Sequence, residues 1–298
     1  MWRQRLVNSL DSHAVSKSAL DQFRSWRMKR HLAVGPRETT FGFQFYGPMF
    51  MADGSYEPHE TRVVSKLLET SASFLNVGAN LGYYCCLAMH KGVRSVALEP
   101  DPGNAQYLLR NLAENGWTED CQVFLGAAGE ESGVAELYGS GMGASLDADW
   151  AGRHQPASLL VPRYRLDDLL NPTRFSHPLL ILIDVEGAEL SVLRGMDSYL
   201  DFAPAPIWIV EISLGEHPVV DENKERRCRA TFDTFFSRGY ECFVISDHLH
   251  PLSRNSLAIE LTRARPFGPA RNFLFSKDMR PLENLVSRST RWPAEDAP

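Results

Sequence analysis

The stretch Phe74-Leu75-Asn76-Val77-Gly78-Ala79-Asn80-Leu81-Gly82-Tyr83-Tyr84 constrains the fold more than any other part of the chain. Its apolar run (Phe74, Leu75, Val77) stops at a loop carrying Gly78 and Gly82, and Tyr84 to His90 then reads as the apolar start of a helix. A strand, a glycine loop and a helix in that order turn backbone N–H groups and a helix N-terminus toward a ligand lying across the strand ends. Gly78 is expected to let the backbone turn tightly and approach that ligand without a Cβ, and Gly82 to do the same at the helix mouth.

Spacing narrows the ligand. A dinucleotide loop has the form G-x-G-x-x-G, with its middle glycine under a pyrophosphate, and Asn80 stands in that place here. No Gly-Lys-Ser/Thr follows, so a Walker-type phosphate loop is excluded. Downstream, Arg94 to Leu98 reads as a second strand ending in Glu99-Pro100. A carboxylate at that tip is placed to accept hydrogen bonds from ribose hydroxyls. A nucleoside without a pyrophosphate, held between the glycine turn and Glu99, points to S-adenosylmethionine as cofactor.

The rest of the chain reads as alternating strands and helices. After a helix from Asn104 to Asn115 comes a third strand, Cys121 to Leu125, followed by Gly126-Ala127. Hairpin-like pieces (Gly133 to Tyr138, Ser158 to Tyr164) flank the small-residue run Gly139 to Ser145. Pro178 to Ile183 is the most continuous apolar run and reads as a buried parallel strand ending at Asp184. A further strand from Ile207 ends at Glu211, and Tyr240 to Ser246 with Asn272 to Phe275 closes as an antiparallel pair. Thr40 to Met51 looks strand-like, and Asn8 to Leu32 reads as one or two basic helices. The organisation expected is an N-terminal helical and strand extension (1–55), a main domain (56–280) and a polar tail (281–298). The main domain is an open, mostly parallel sheet with helices on both faces. In such sheets ligands sit beyond the carboxyl ends of the strands, where Gly78, Glu99, Gly126, Asp184 and Glu211 all fall.

Composition bounds the function. A formal net charge of −6 over 298 residues argues against nucleic acid as the main substrate. No apolar run approaches the roughly 20 residues that span a bilayer, so no transmembrane segment is expected, and Met1 to Arg5 lacks a signal-peptide core. Five cysteines, an odd number without C-x-x-C, fit reduced thiols and a cytoplasmic setting.

Candidate chemistry lies in carboxylates. Asp184 and Glu186 sit two apart at a strand end and can both point into the crevice, and Glu211 ends a neighbouring strand. A carboxylate buried there needs a partner, which the cofactor's cationic groups or an acceptor hydroxyl would supply. Glu189 reads as a residue serving its own helix N-terminus. His217 and His59 are further candidate bases. No H-x-x-H, C-x-x-C or H-E-x-x-H occurs, so no metal is expected; Asp184, Glu186 and Glu211 would hold Mg²⁺ only if they converged tightly.

In combination and order these motifs resemble the FkbM-type family of S-adenosylmethionine-dependent methyltransferases, over roughly Tyr56 to Ile245. The resemblance rests on Tyr56-Glu57-Pro58, the loop Asn76 to Tyr83, Glu99-Pro100 with Asn104 and Asn111, and Ser145-Leu146. It continues through Leu166-Asp167-Asp168, Asp184-Val185-Glu186-Gly187-Ala188-Glu189 with Leu193 and Gly195, and Glu211. It implies a class I methyltransferase (Rossmann-like) fold with a seven-stranded sheet, and typically O-methylation of hydroxyls on sugars, polyketides or other small metabolites. Cofactor contacts are then implied for Asn76, Val77, Gly78, Ala79, Asn80, Gly82, Tyr83, Glu99, Pro100, Asn104, Gly126, Ala127 and Asp184. Catalysis falls to Asp184, Glu186 and Glu211, and the small-molecule or glycan acceptor to Tyr56, Glu57, Ser145 and His217. Two positions depart from the family pattern: Asn76 stands where Asp is usual, and Leu182 where Lys is usual. These departures favour one alternative, a cofactor-binding protein of the same fold without turnover. A nicotinamide oxidoreductase is disfavoured by the missing middle glycine. Self-association is left open.

Overall fold

The protein is described from a computed structural model, which covers residues 35–148, 157–212, 222–263, 267 and 270–286. The helices expected between Asn8 and Leu32, His217, and the tail beyond 286 lie outside the described residues.

Strands β1 (Arg37–Glu38) and β2 (Gln44–Phe45) form a short antiparallel pair. The strand character expected up to Met51 goes no further, because Gly47-Pro48 interrupts it and Met49–Ala52 coils into a single helical turn. Proline lacks the N–H a ladder needs. The main sheet takes β3 (Ser73–Val77), β4 (Arg94–Glu99) and β5 (Cys121–Leu125). A separate three-stranded sheet is made by β6 (Ala127–Ala128), β7 (Gly133–Tyr138) and β8 (Ala157–Tyr164). The main sheet resumes with β9 (Leu179–Ile183), β10 (Ile207–Glu211), β11 (Glu241–Ile245), β12 (Leu249–Pro251) and β13 (Asn272–Ser276).

The order is β12-β11-β13-β10-β9-β3-β4-β5. The pairs from β10 to β5 are parallel, and β13 runs antiparallel to both β10 and β11. Eight strands stand where seven were expected. The additional one, β12, forms because Ser246 and Asp247 turn the chain back on β11, with the Ser246 N–H donating to the His248 carbonyl at 3.1 Å.

Strand alternation splits the core by sheet face. Leu75, Val77, Ile181, Ile183, Trp208 and Val210 face one way, against Phe232 and Phe235 of the helix Glu222–Phe236. Phe74, Leu180, Leu182, Ile207 and Ile209 face the other, against the helices Pro58–Leu68 and Tyr83–His90. Phe43, Phe45 and Met51 belong to this second core. Fully buried Asn111, on the helix Pro102–Glu114, ties the two parts. Its Oδ1 accepts from Tyr46 N at 2.6 Å, and its Nδ2 donates to the Leu81 carbonyl at 2.8 Å. The glycine loop is thereby fixed from below by the preceding segment.

The chain winds outward from β3 through β4 to β5, then crosses back to β9 on the other side of β3. That reversal opens a crevice at the carboxyl ends of β3 and β9.

Candidate functional site

The glycine loop closes on the protein itself. Gly78 has φ +86°, and a Cβ there would lie 1.7 Å from the Asp184 carbonyl oxygen. The neighbour that forbids a side chain is therefore the end of β9, not a ligand as expected. At Gly82, also φ +86°, a Cβ would lie 2.3 Å from Leu108 Cδ1. The loop N–H groups are likewise used internally. Those of Gly78 and Ala79 both donate to the Leu98 carbonyl (3.0 and 2.9 Å), and that of Asn80 donates to Glu99 Oε2 at 2.7 Å.

Glu99 organises the neighbouring cleft. Its Oε1 accepts from Asp101 N at 2.9 Å and Asn104 Nδ2 at 3.3 Å. Burial pushes its pKa up to about 7 against the pull of these hydrogen bonds. The cleft is lined on its polar side by Asn80, Glu99, Asn104 and Asp184, with Gly78, Pro100, Gly126 and Ala127 around them. Its remaining wall includes Met142, Ala144 and Leu146, which sequence reasoning missed; the available signal was the apolar residues within and beside the small-residue run. This loop is tied down by Gly141 N to Asp101 Oδ2 at 3.2 Å and by paired Tyr138 and Ser145 backbone bonds.

A second, smaller cavity shares Gly78, Asn80 and Asp184 with the cleft and adds Tyr56, Asn76, Ala79, Tyr83 and Tyr84. Asn76 is 1% exposed and Tyr83 3%. Yet Asn76 Oδ1 and the Tyr83 hydroxyl have no hydrogen-bond partner, and neither do Asn80 Oδ1 and Asn104 Oδ1 in the cleft. Buried polar atoms are rarely left so without a ligand or water to meet them. Asn76 and Leu182 are register partners on β3 and β9, so the two departures from the family pattern are neighbours on one sheet face.

Carboxylates gather beyond the strand ends. One oxygen each of Asp184, Glu186 and Glu211 lies within 4.8 Å of the others, which meets the convergence required of a cation site. Asp184 reaches the crevice surface but is enclosed by protein, and this burial, then the charge of Glu211, holds its pKa well above the carboxylate range. Glu211 has Arg271 Nη1 at 3.9 Å. Glu57 adopts a left-handed backbone (φ +40°), and its Oε2 accepts from the Tyr84 hydroxyl at 2.9 Å. Burial raises its pKa to about 6. Glu60, on the helix that Glu57 precedes, is raised as well, chiefly by burial.

Other expected residues take supporting places. Ser145 Oγ donates to the Glu186 carbonyl at 2.6 Å, pinning the loop over the carboxylates. Glu189 Oε1 accepts from Gly187 N at 2.7 Å and so serves the turn before its own helix. Val77 points into the opposite core and Gly82 packs on Leu108, so neither lines a cavity. His59 is exposed on its helix.

Strand order and the switch-point cleft are those of a class I methyltransferase fold. The Methyltransferase FkbM domain matches residues 76–242, more than half of the chain, and the chain belongs to this family. Among curated proteins none matches by sequence. Similar solved structures include an O-methyltransferase from Bacillus cereus in complex with SAH: 12% identity, TM-score 0.44, 76% of this chain and 82% of that one. Another is the O-methyltransferase TomG from Streptomyces achromogenes, involved in tomaymycin synthesis, in complex with SAM: 14% identity, TM-score 0.40, 74% and 79% covered. No described helix is long and apolar enough to cross a membrane.

Proposed function

We propose that the chain is an S-adenosylmethionine-dependent O-methyltransferase acting on a hydroxyl of a sugar, polyketide or other small metabolite. The observation that carries this reading is the contiguity of two cavities. A cleft walled by Glu99, Asn104 and Glu186 shares Gly78, Asn80 and Asp184 with a second cavity lined by Tyr56, Asn76, Tyr83 and Tyr84. The unpartnered Asn80, Asn104 and Tyr83 atoms fit a ligand with polar groups along its length. Glu99 and Asn104 would hold the ribose, Met142 and Leu146 would flank the base, and Asn80 with Tyr83 would meet the amino-acid end. When bound, S-adenosylmethionine supplies an electrophilic methyl group.

The chain's own contribution is placement and proton transfer. Fixing an acceptor hydroxyl in reacting geometry removes much of the entropic barrier. An alcohol is a poor nucleophile at neutral pH, so a carboxylate that accepts its proton as the new bond forms assists the reaction. Asp184, Glu186 and Glu211 are candidates for that role, with Tyr56 and Glu57 positioning the acceptor. All five cysteines are free and buried, which supports a reducing, cytoplasmic setting.

Calorimetric titration with S-adenosylhomocysteine tests the cofactor assignment, with Glu99→Ala expected to weaken binding markedly. Release of S-adenosylhomocysteine over a panel of hydroxyl acceptors tests turnover. Tight cofactor binding with no consumption across the panel would favour the alternative of a binding protein, which the neutral Asn76 and Leu182 pair supports.

A further inference from the structure

We infer that Ser145 is a positioning residue through which a filled cofactor cleft fixes the turn that carries Glu186, an inference that rests on the proposed methyl transfer. The loop from Gly139 to Asp147 faces two ways. Its Met142, Ala144 and Leu146 wall the cleft. Ser145, between them, is 3% exposed, and its Oγ donates to the Glu186 carbonyl at 2.6 Å while accepting from Asp147 N at 3.0 Å. The single hydroxyl proton is thereby committed to the turn after β9. That turn is conformationally demanding: Glu186 has φ +52° and Gly187 φ +102°. A glutamate in left-handed backbone persists where its surroundings over-determine it. Two hydrogen bonds do so here. One is local, from Gly187 N to Glu189 Oε1 at 2.7 Å; the other is the Ser145 bond, which arrives from 41 residues away.

The loop is fastened at its ends and loose between them. Tyr138 and Ser145 exchange backbone bonds at 2.8 and 3.0 Å, and Arg227, on the helix Glu222–Phe236, meets Asp147 Oδ2 at 3.0 Å. Between these points a Cβ at Gly141 (φ +68°) or Gly143 would meet nothing within 4 Å. Met142 stays 40% exposed although it lines the cleft. The middle of the loop thus lacks packing of its own, and a base lying against Met142 and Leu146 supplies it. The held loop then holds Ser145, and Ser145 holds Glu186, a candidate to accept the proton of the reacting hydroxyl. The coupling is reciprocal: loosening the Ser145 contact also weakens cofactor binding.

The experiment is hydrogen exchange of the full-length chain, read by mass spectrometry with and without saturating S-adenosylhomocysteine. In the wild type the ligand is expected to slow exchange in residues 184–190 as well as in the loop 139–147. In Ser145→Ala the loop keeps its ligand-dependent slowing, while that at 184–190 falls by about threefold or more, the share of one hydrogen bond. Arg227→Gln leaves the Ser145 hydroxyl in place and should reduce the slowing at 184–190 by about twofold at low salt, as added salt does in the wild type. A Ser145 that is merely structural would change exchange at 184–190 equally with and without ligand, and that result overturns the inference. So does a wild type that binds S-adenosylhomocysteine by calorimetry with no slowing at 184–190. If circular dichroism shows Ser145→Ala unfolded, Arg227→Gln decides, and undiminished slowing in it at low salt overturns the inference. Absence of calorimetric binding to the wild type instead overturns the cofactor assignment, and the inference with it.

Discussion

Gly78→Ala is the sharpest test of how the crevice is built. The added Cβ would lie 1.7 Å from the Asp184 carbonyl oxygen and 2.7 Å from its carbon. Both are backbone atoms, so no side-chain rotation relieves the overlap. Relief requires β9 to move away from β3 where the Asp184 N–H bonds the Val77 carbonyl at 2.9 Å. Left-handed backbone in a non-glycine residue costs about 1–2 kcal/mol, and forced overpacking adds about 1–3 kcal/mol. The expected loss is therefore about 2–5 kcal/mol. Gly92→Ala is the control: its φ is +76°, and nothing lies within 4 Å of the added atom, so only the backbone cost of about 1–2 kcal/mol applies. Urea denaturation of both variants gives the difference, and S-adenosylhomocysteine titration shows whether the shared wall of the two cavities survives. If Gly78→Ala destabilises no more than Gly92→Ala, the loop and strand end are not in the contact described.

Four further outcomes are expected. Asn76→Asp and Leu182→Lys should each cost about 3–5 kcal/mol as unpaired buried charges, and the double variant less than their sum; strict additivity in a double-mutant cycle would show that the register partners do not touch. Tyr83→Phe should leave the ligand-free protein as stable or more stable, because it removes an unpartnered hydroxyl, while weakening S-adenosylhomocysteine; unchanged affinity would remove that hydroxyl from the cofactor site. Asp184→Asn should raise the denaturation midpoint at pH 8 by relieving repulsion with Glu211, yet lower turnover once an acceptor is known; a lowered midpoint would contradict the crowding of charge. Glu99 has its pKa raised from an ordinary 4.5 to about 7. Its favourable contribution is complete below pH 4.5 and is lost as pH rises through 7, with Glu57 (about 6) and Glu189 (about 8) acting in the same sense. Ligand-free stability should therefore fall between about pH 5 and 8, and a rising midpoint over that range would refute it.

Much of this was legible in the residues because strands buried on both faces announce themselves. Leu179 to Ile183 and Ile207 to Val210 are unbroken apolar runs, each closed by an acid, so Asp184 and Glu211 could be placed at strand ends without coordinates. Glu99 was legible for the same reason. β12 was not, since three residues carry no pattern of their own and exist only by pairing with β11. The destination of the loop N–H groups was also hidden. That the Leu98 carbonyl takes two of them depends on how β3 sits beside β4, which no local spacing encodes. The apolar side of the cleft escaped because Met142, Ala144 and Leu146 acquire meaning only when β7 and β8 fold their connection over the strand ends. The adjacency of Asn76 and Leu182 is a fact of register, invisible until β3 and β9 are aligned.

The placement of β13 has a consequence for how the molecule is assembled. It is the last strand of the main sheet in chain order, yet it is inserted between β10 and β11. On an elongating polypeptide, β10 would wait with one flank bare, and β11 would have nothing linking it to the nascent platform. A ribosome stalled shortly after Ile245 would thus present two naked edges, an invitation to intermolecular pairing. Completion of the sheet is a zipper closed from the far end of the chain, and substitutions in Asn272 to Ser276 should show themselves first as lost soluble yield.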